Sequence, residues 1–221
     1  MRIGPLHRAA LTSAVLLWVA ALAPPQASAE NSDRAYSFKA GYWIPTEGVV
    51  RDVLGDGISF GGALSLPLRS NRWLDFELSY WKRSGDFPPL EDETLPGAVT
   101  ERRSEVTIVP LSLSLRVEAL PMRGIKPFFL GGVDLNVVKE EVDFIQTQPD
   151  EPDLVGTNSL SNAFLGFHFG GGAEMDVRAQ TAVFFEVRAS VVNADTDDVG
   201  GLVGTGVSLG GIGMFGGVRF K

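Results

Sequence analysis

Residues 104–118 read SEVTIVPLSLSLRVE, and the alternation in this stretch decides the fold. Thr107, Val109, Leu111, Leu113, Leu115 and Val117 fall on one face. Ile108, Pro110, Ser112, Ser114, Arg116 and Glu118 fall on the other. A period of two is the signature of a strand whose faces meet different surroundings. The same pattern recurs on either side. Residues 72–82 set Leu74, Phe76, Leu78 and Tyr80 against Asp75, Glu77 and Ser79, and residues 182–192 set Val183, Phe185, Val187, Ala189 and Val191 against Glu186, Arg188 and Ser190. Extended along the chain, the reading gives eight strands at about 35–44, 57–68, 72–82, 104–118, 126–139, 163–177, 182–192 and 207–220.

Alternation alone does not separate a soluble sandwich from a membrane barrel, because both have one apolar and one polar face. Strand and loop lengths do. Most of these strands are longer than the roughly 5–6 residues usual in globular proteins, and they match the 9–11 that a tilted membrane strand needs. The connections alternate: 45–56, 83–103, 140–162 and 193–206 are long, and 69–71, 119–125 and 178–181 are short. Tight turns at one end and long loops at the other are the pattern of bacterial membrane barrels. The expected fold is all-β, an eight-stranded antiparallel up-and-down transmembrane β-barrel, with its turns in the periplasm and its loops outside.

The N-terminus fits that destination. Arg2, His7 and Arg8 form a positive segment, Ala9–Ala23 is apolar but too short to span a bilayer, and Ala27-Ser28-Ala29 offers a small-x-small cleavage site. Residues 1–29 therefore read as a cleavable signal peptide and 30–221 as one barrel domain. Loss of the two signal arginines takes the formal charge from −8 to −10, which disfavours nucleic acid as a partner. The chain has no cysteine, so disulfides, thiolate metal sites, cysteine nucleophiles and lipoprotein anchoring are excluded.

Aromatics cluster near expected strand ends. Tyr42, Trp43, Trp73, Tyr80, Trp81 and Phe220 are placed where interfacial girdles would use them. Many of the 26 glycines lie inside strands, where they relieve crowding in a tightly curved sheet.

The stretches Tyr36–Pro45 (YSFKAGYWIP), Lys126–Asp134 (KPFFLGGVD), Gly166–Met175 (GFHFGGGAEM), Phe184–Ala189 (FFEVRA) and Gly216–Phe220 (GGVRF) resemble the small outer-membrane β-barrel proteins, the group of OmpA-like, OmpX-like and OmpW-like barrels. The resemblance covers essentially all of residues 30–221. It implies location in the cell outer membrane, contact with lipid and lipopolysaccharide, and insertion by the barrel assembly machinery. That machinery recognises a terminal aromatic in such families; here Phe220 is followed by Lys221. The OmpW-like members imply a passive channel for small solutes. An OmpA-like tether to the cell wall is not expected, since the chain stops with strand eight.

Motifs that suggest chemistry fail on context. Gly206-Val207-Ser208-Leu209-Gly210 matches the G-x-S-x-G nucleophile elbow, but no histidine and no helix follow it. Gly211–Gly216 matches G-x-G-x-x-G, yet the helix and acid of a dinucleotide site are missing. His168 is the one histidine of residues 30–221. The lipid A deacylases place His-x-Ser on a strand, and here Gly170 stands where that serine would be. His168 reads instead as a lumen histidine bonded to its neighbours. No catalytic residue, cofactor or metal is expected.

The inward faces carry both signs of charge: Lys39, Asp75, Glu77, Arg116, Glu118, Asp134, Glu174, Asp176, Glu186 and Arg188. An eight-strand lumen is narrow and filled by side chains, and buried charge there must be paired. Asp75, Glu77, Arg116, Glu118, Glu174, Glu186 and Arg188 are expected to form a structural charge network in which Arg116 and Arg188 each bridge carboxylates. The loops are acidic (Glu91, Asp92 and Glu93; Asp150, Glu151 and Asp153; Asp195, Asp197 and Asp198) and lack calcium-loop spacing. Gly85–Thr100, with three prolines, reads as a mobile loop. The expected role is structural or surface-interacting through the extracellular loops, as a monomer.

Overall fold

The computed structural model describes residues 34–69, 71–88, 90–91, 99–147, 153–194 and 207–221. The signal segment 1–29 and the loop acids other than Glu91 and Asp153 lie outside the described residues. Eight long strands run in chain order: β1 (Ala35–Pro45), β2 (Gly57–Arg69), β3 (Arg72–Asp86), β4 (Val99–Glu118), β5 (Ile125–Thr147), β6 (Leu154–Arg178), β7 (Thr181–Ala194) and β8 (Gly211–Phe220). Each pairs antiparallel with the next in sequence. The ring closes where β8 also pairs with β1, from Tyr36↔Phe220 to Pro45↔Gly211. This is an eight-stranded antiparallel barrel without a free edge at its waist.

The outer surface of the waist is apolar. Phe60, Phe76, Leu113, Phe129, Leu165, Phe167, Phe169, Phe185 and Met214 are all exposed there; Leu165 is 74 % exposed and Phe129 68 %. A monomer in water rarely leaves an apolar patch of more than a few hundred Å² uncovered, and here the apolar residues encircle the molecule. Lipid is the medium that removes the cost.

Four strands outrun the sequence reading at the loop end: β3 continues to Asp86, β4 starts at Val99, β5 reaches Thr147 and β6 starts at Leu154. β5 and β6 are 23 and 25 residues long, about twice what a bilayer requires. In their outer parts the pattern inverts. Within the waist of β5, Val133, Leu135 and Val137 face out, while Asp134 and Asn136 face in and are buried. Above Val138, Lys139 and Asp143 are exposed, while Val138 and Val142 are buried inside. β4 inverts in the same way, with Glu101 and Arg103 outside and Val106 and Ile108 inside. The cause is the change of outer solvent. Where lipid gives way to water, the outer face turns polar and the interior gains apolar packing from Val106, Ile108, Val138 and Val142 beside the buried Ser104–Glu140 hydrogen bond at 2.6 Å.

That core closes the outer mouth. The expected loop 45–56 contains a short helix, α1 (Gly48–Leu54), whose Val50 and Leu54 are buried against Trp81, Val106, Ile108, Val138, Phe164, Val192 and Leu209. Burial of each contributes about 1.5–3 kcal/mol. Gly55, with φ +68°, ends the helix in a conformation that favours glycine. Gly85 admits the helix: a Cβ there would stand 1.6 Å from the Val53 carbonyl oxygen. Gly85 and Asp86 are thus strand residues, as are Val99 and Thr100, and Leu90–Glu91 pair with the latter two. Residues 92–98 of that expected mobile loop lie outside the described residues.

Two further expectations are corrected. The eighth strand is not continuous from 207, because Val207–Ser208 pair with β7 and Leu209–Gly210 interrupt before β8 begins. The tryptophans do not belong to an outer girdle. Tyr42 and Tyr80 are exposed on the outside, but their neighbours Trp43 and Trp81 necessarily point inward and line the upper lumen; Trp73 also faces in, under the Arg219 guanidinium.

Candidate functional site

Three polar layers fill the lumen below the apolar cap. In the layer nearest the turns, Glu174 is fully buried on β6. It meets Arg116 of β4 at 2.5 Å, Lys221 at 2.6 Å and Arg219 of β8 at 3.7 Å. Arg116 also reaches Glu118 at 3.5 Å and lies 3.9 Å from the centre of the Phe128 ring. Asp176 is the exception among the expected inward acids. It sits at the half-exposed rim, held by Lys126 at 2.6 Å and Lys221 at 2.5 Å. Asp75 is buried on the lumen face but joins none of these ion pairs among the described residues.

The middle layer is a closed four-membered cluster. Arg188 of β7 grips Glu77 of β3 through both terminal nitrogens, at 3.1 and 2.8 Å, and donates from Nε to Glu186 at 2.9 Å. Lys39 of β1 completes the ring, 2.8 Å from Glu77 and 3.0 Å from Glu186. Ser79 donates to Glu77 at 2.7 Å, and the Lys39 ammonium sits 4.4 Å over the Phe215 ring. Two cations meet two carboxylates, so the cluster is neutral, and it ties together strands from opposite parts of the chain.

The third layer joins residues from β4, β5 and β6. His168 Nδ1 lies 2.8 Å from Asp134, and its Nε2 lies 2.8 Å from Ser114 Oγ; Ser112 donates to Asp134 at 2.5 Å. A carboxylate can only accept, so Nδ1 donates to Asp134, while Nε2 and the serine hydroxyl share the second hydrogen bond. Gly132 makes this reach possible. It pairs with both Ser114 and His168 across the sheet, and having no side chain it leaves the space between them open. A Cβ at Gly132 would fall 2.0 Å from the Leu113 carbonyl oxygen.

Ser114, His168 and Asp134 thus stand in the order of nucleophile, base and orienting acid. Reaction also needs room for a substrate carbonyl and donors about 3 Å from its oxygen. Ser114 is 1 % exposed. The lumen cavity, about 50 Å³ and bordered by Trp43, Trp81, Phe215, Glu77 and Arg188, touches Ser112 and Asp134 but neither Ser114 nor His168. The arrangement works as a hydrogen-bonded cross-brace. A fluorophosphonate probe is expected to leave the folded protein unlabelled; stoichiometric labelling at Ser114, lost in Ser114→Ala, would reveal an enzyme.

The sequence alone does not single out Lys221, Arg219, Ser114 and Ser112 as site residues. Arg219 is available from the alternation of β8, in which Phe215, Gly217 and Arg219 share the inward face. The Ser114–His168 contact depends on cross-strand register and has no sequence signal. Among the described residues, no group of three histidine or acidic side chains is placed to hold a metal ion.

A ring of eight antiparallel strands, apolar outside and ion-paired within, defines a small transmembrane β-barrel. No protein-family model matches the sequence, and a search of curated proteins found no match. Solved structures of similar architecture include Neisserial surface protein A (16 % identity, TM-score 0.48, covering 87 % of this chain and 99 % of that one). The N-terminal β-barrel domain of Pseudomonas aeruginosa OprF is another (11 %, 0.42, 86 % and 98 %). A third is a major outer membrane protein from Thermus thermophilus (12 %, 0.45, 86 % and 99 %). At these identities the likeness is one of architecture.

Proposed function

We propose that this protein is a closed barrel of the outer membrane, exported by a cleaved signal segment and inserted by the barrel assembly machinery, whose working part is its extracellular wall and loops. It acts as a monomeric, non-catalytic anchor surrounded by lipid and lipopolysaccharide. The observation that carries this reading is the filled lumen. Two ion-paired clusters, a serine–histidine–aspartate brace and an apolar cap together occupy it. A cavity of about 50 Å³, where Glu77, Arg188 and Asp134 meet Trp81 and Leu209 of the cap, has room for water but is smaller than the roughly 150 Å³ that admits benzene elsewhere.

Planar-bilayer recording tests the proposal. The purified barrel is expected to give no discrete conductance steps. Regular steps that survive repurification would establish the passive-channel reading in its place.

A further inference from the structure

β5 and β6 pair with each other along their whole outer length, up to Gln146↔Leu154. On the other side of β6, pairing with β7 begins only at Gly166↔Val192. Among the described residues, Leu154–Leu165 therefore has no strand on that side. β7 turns its last residues elsewhere. Asn193↔Ser208 and Ala194↔Val207 continue the register of Ser190↔Gly211, so both stems of the connection 195–206 are held on the side of β7 away from β6. Most of 154–163 is exposed, with Val155 at 73 %.

A bare strand edge is a row of unpaired donors and acceptors, and chains ordinarily guard it with lysine, proline or a bulge. Leu154–Leu165 (LVGTNSLSNAFL) contains no charged residue and no proline, and its pairing with β5 is free of bulges. The charges of this wall lie on β4 and β5 instead, outward on Glu101, Arg103, Glu105, Lys139, Glu141 and Asp143 and inward on Arg102 and Glu140. Several of these are already satisfied locally: Lys139 with Glu141 at 2.6 Å, Asp143 with Thr157 at 2.7 Å, and Glu105 with Lys82 at 2.6 Å. The edge is left with main-chain hydrogen bonding as its principal chemistry.

We infer that this edge takes an extended peptide segment of another protein as an added strand, running antiparallel to β6 above the bilayer. The inference rests on the reading of the outer wall as the working surface. Twelve residues at about 3.4 Å each offer roughly 40 Å of edge. A second copy in the same membrane would present β6 in the same direction and could pair only parallel, the less stable mode; a separate peptide has no such restriction. Main-chain bonds would supply affinity, and the small neutral side chains Thr157, Ser159 and Ser161 would admit a partner with little steric selection on the outer face.

The test is amide hydrogen exchange over residues 154–165 of the protein in lipid nanodiscs. The probe is the ten-residue peptide of sequence Val138–Thr147, which copies the strand that pairs with this stretch on its other side. In the free protein, amides aimed at the edge should exchange fast while those bonded to β5 are protected. Peptide at millimolar concentration should slow the fast set by at least about ten-fold. Thr157→Lys with Ser159→Lys should abolish the slowing while retaining folded-barrel migration on unboiled gels. Edge amides already slow in the free protein would overturn the inference by showing that the chain covers its own edge. Fast amides unmoved by the peptide would overturn it as well. Channel conductance would contradict the closed-anchor reading without altering either result.

Discussion

Arg188→Ala should destabilise the barrel by about 3–5 kcal/mol, the usual cost of removing one partner from a buried ion pair. The arginine is 7 % exposed and provides three of the hydrogen bonds that hold Glu77 and Glu186. Without it, Lys39 alone faces two buried carboxylates about 3 Å away. The measurement is urea unfolding in lipid vesicles, followed by tryptophan fluorescence. Arg178→Ala, an exposed cation at the end of β6, serves as the control and should change stability by no more than about 0.5 kcal/mol. Replacing all four members of the cluster by leucine or methionine should recover much of the loss, since the desolvation cost disappears together with the attraction. Equal effects of Arg188→Ala and Arg178→Ala would show that the cluster does not brace the barrel.

The second large effect is expected on the outside of the waist. Leu113→Arg places a guanidinium among Leu111, Leu115 and Val133, on a surface assigned to hydrocarbon. An arginine at mid-depth costs about 2–4 kcal/mol in a membrane barrel and little near the interface. Glu101→Arg, twelve positions earlier on the same face of the same strand, lies in the charged collar and should be nearly neutral. If the two substitutions cost the same in lipid, the apolar belt is not the lipid-facing surface.

Much of this architecture is legible because alternation reports the difference between the two sides of a wall. Lipid outside and packed charge inside give the pattern of Leu111, Leu113 and Leu115 against Ser112, Ser114 and Arg116. The same logic hides the outer third of the molecule. Past Val138 both sides change at once: Lys139 and Asp143 go out to water, and Val138 and Val142 go into a core. The apolar phase slips by one residue there, and a slip of phase resembles the end of a strand. Alternation therefore ends β5 at 139, begins β6 at 163 and leaves 140–162 as a loop, where the barrel wall in fact continues through residues 140–147 and 154–162. Helix α1 escapes the sequence reading for a related reason. Its apolar face is only Val50, Val53 and Leu54, too short a run to show a period, and it is held by the mouth of the barrel and not by its own propensity.

The lumen charges divide in a similar way. Facing direction follows from parity, so Glu77, Glu174, Glu186, Arg116 and Arg188 can be placed inside from sequence. Which acid meets which base depends on register around a closed ring. The Arg188–Glu77 contact joins β7 to β3, strands that are not neighbours. Lys221 shows a further consequence. Its ammonium, next to the aromatic Phe220, folds back to Glu174 and Asp176 and belongs to the charge layer nearest the turns.

This barrel spans a membrane, and its polarity inverts at the outer water boundary. Spin labels placed singly along β4, from Thr100 to Val117, test it in lipid vesicles through collision with oxygen and with a water-soluble nickel chelate. Labels at 109, 111, 113, 115 and 117 should favour oxygen, labels at 101, 103 and 105 should favour nickel, and those at 106 and 108 should meet neither. Nickel access at 111–115, or oxygen preference continuing without change through 101–105, would contradict it.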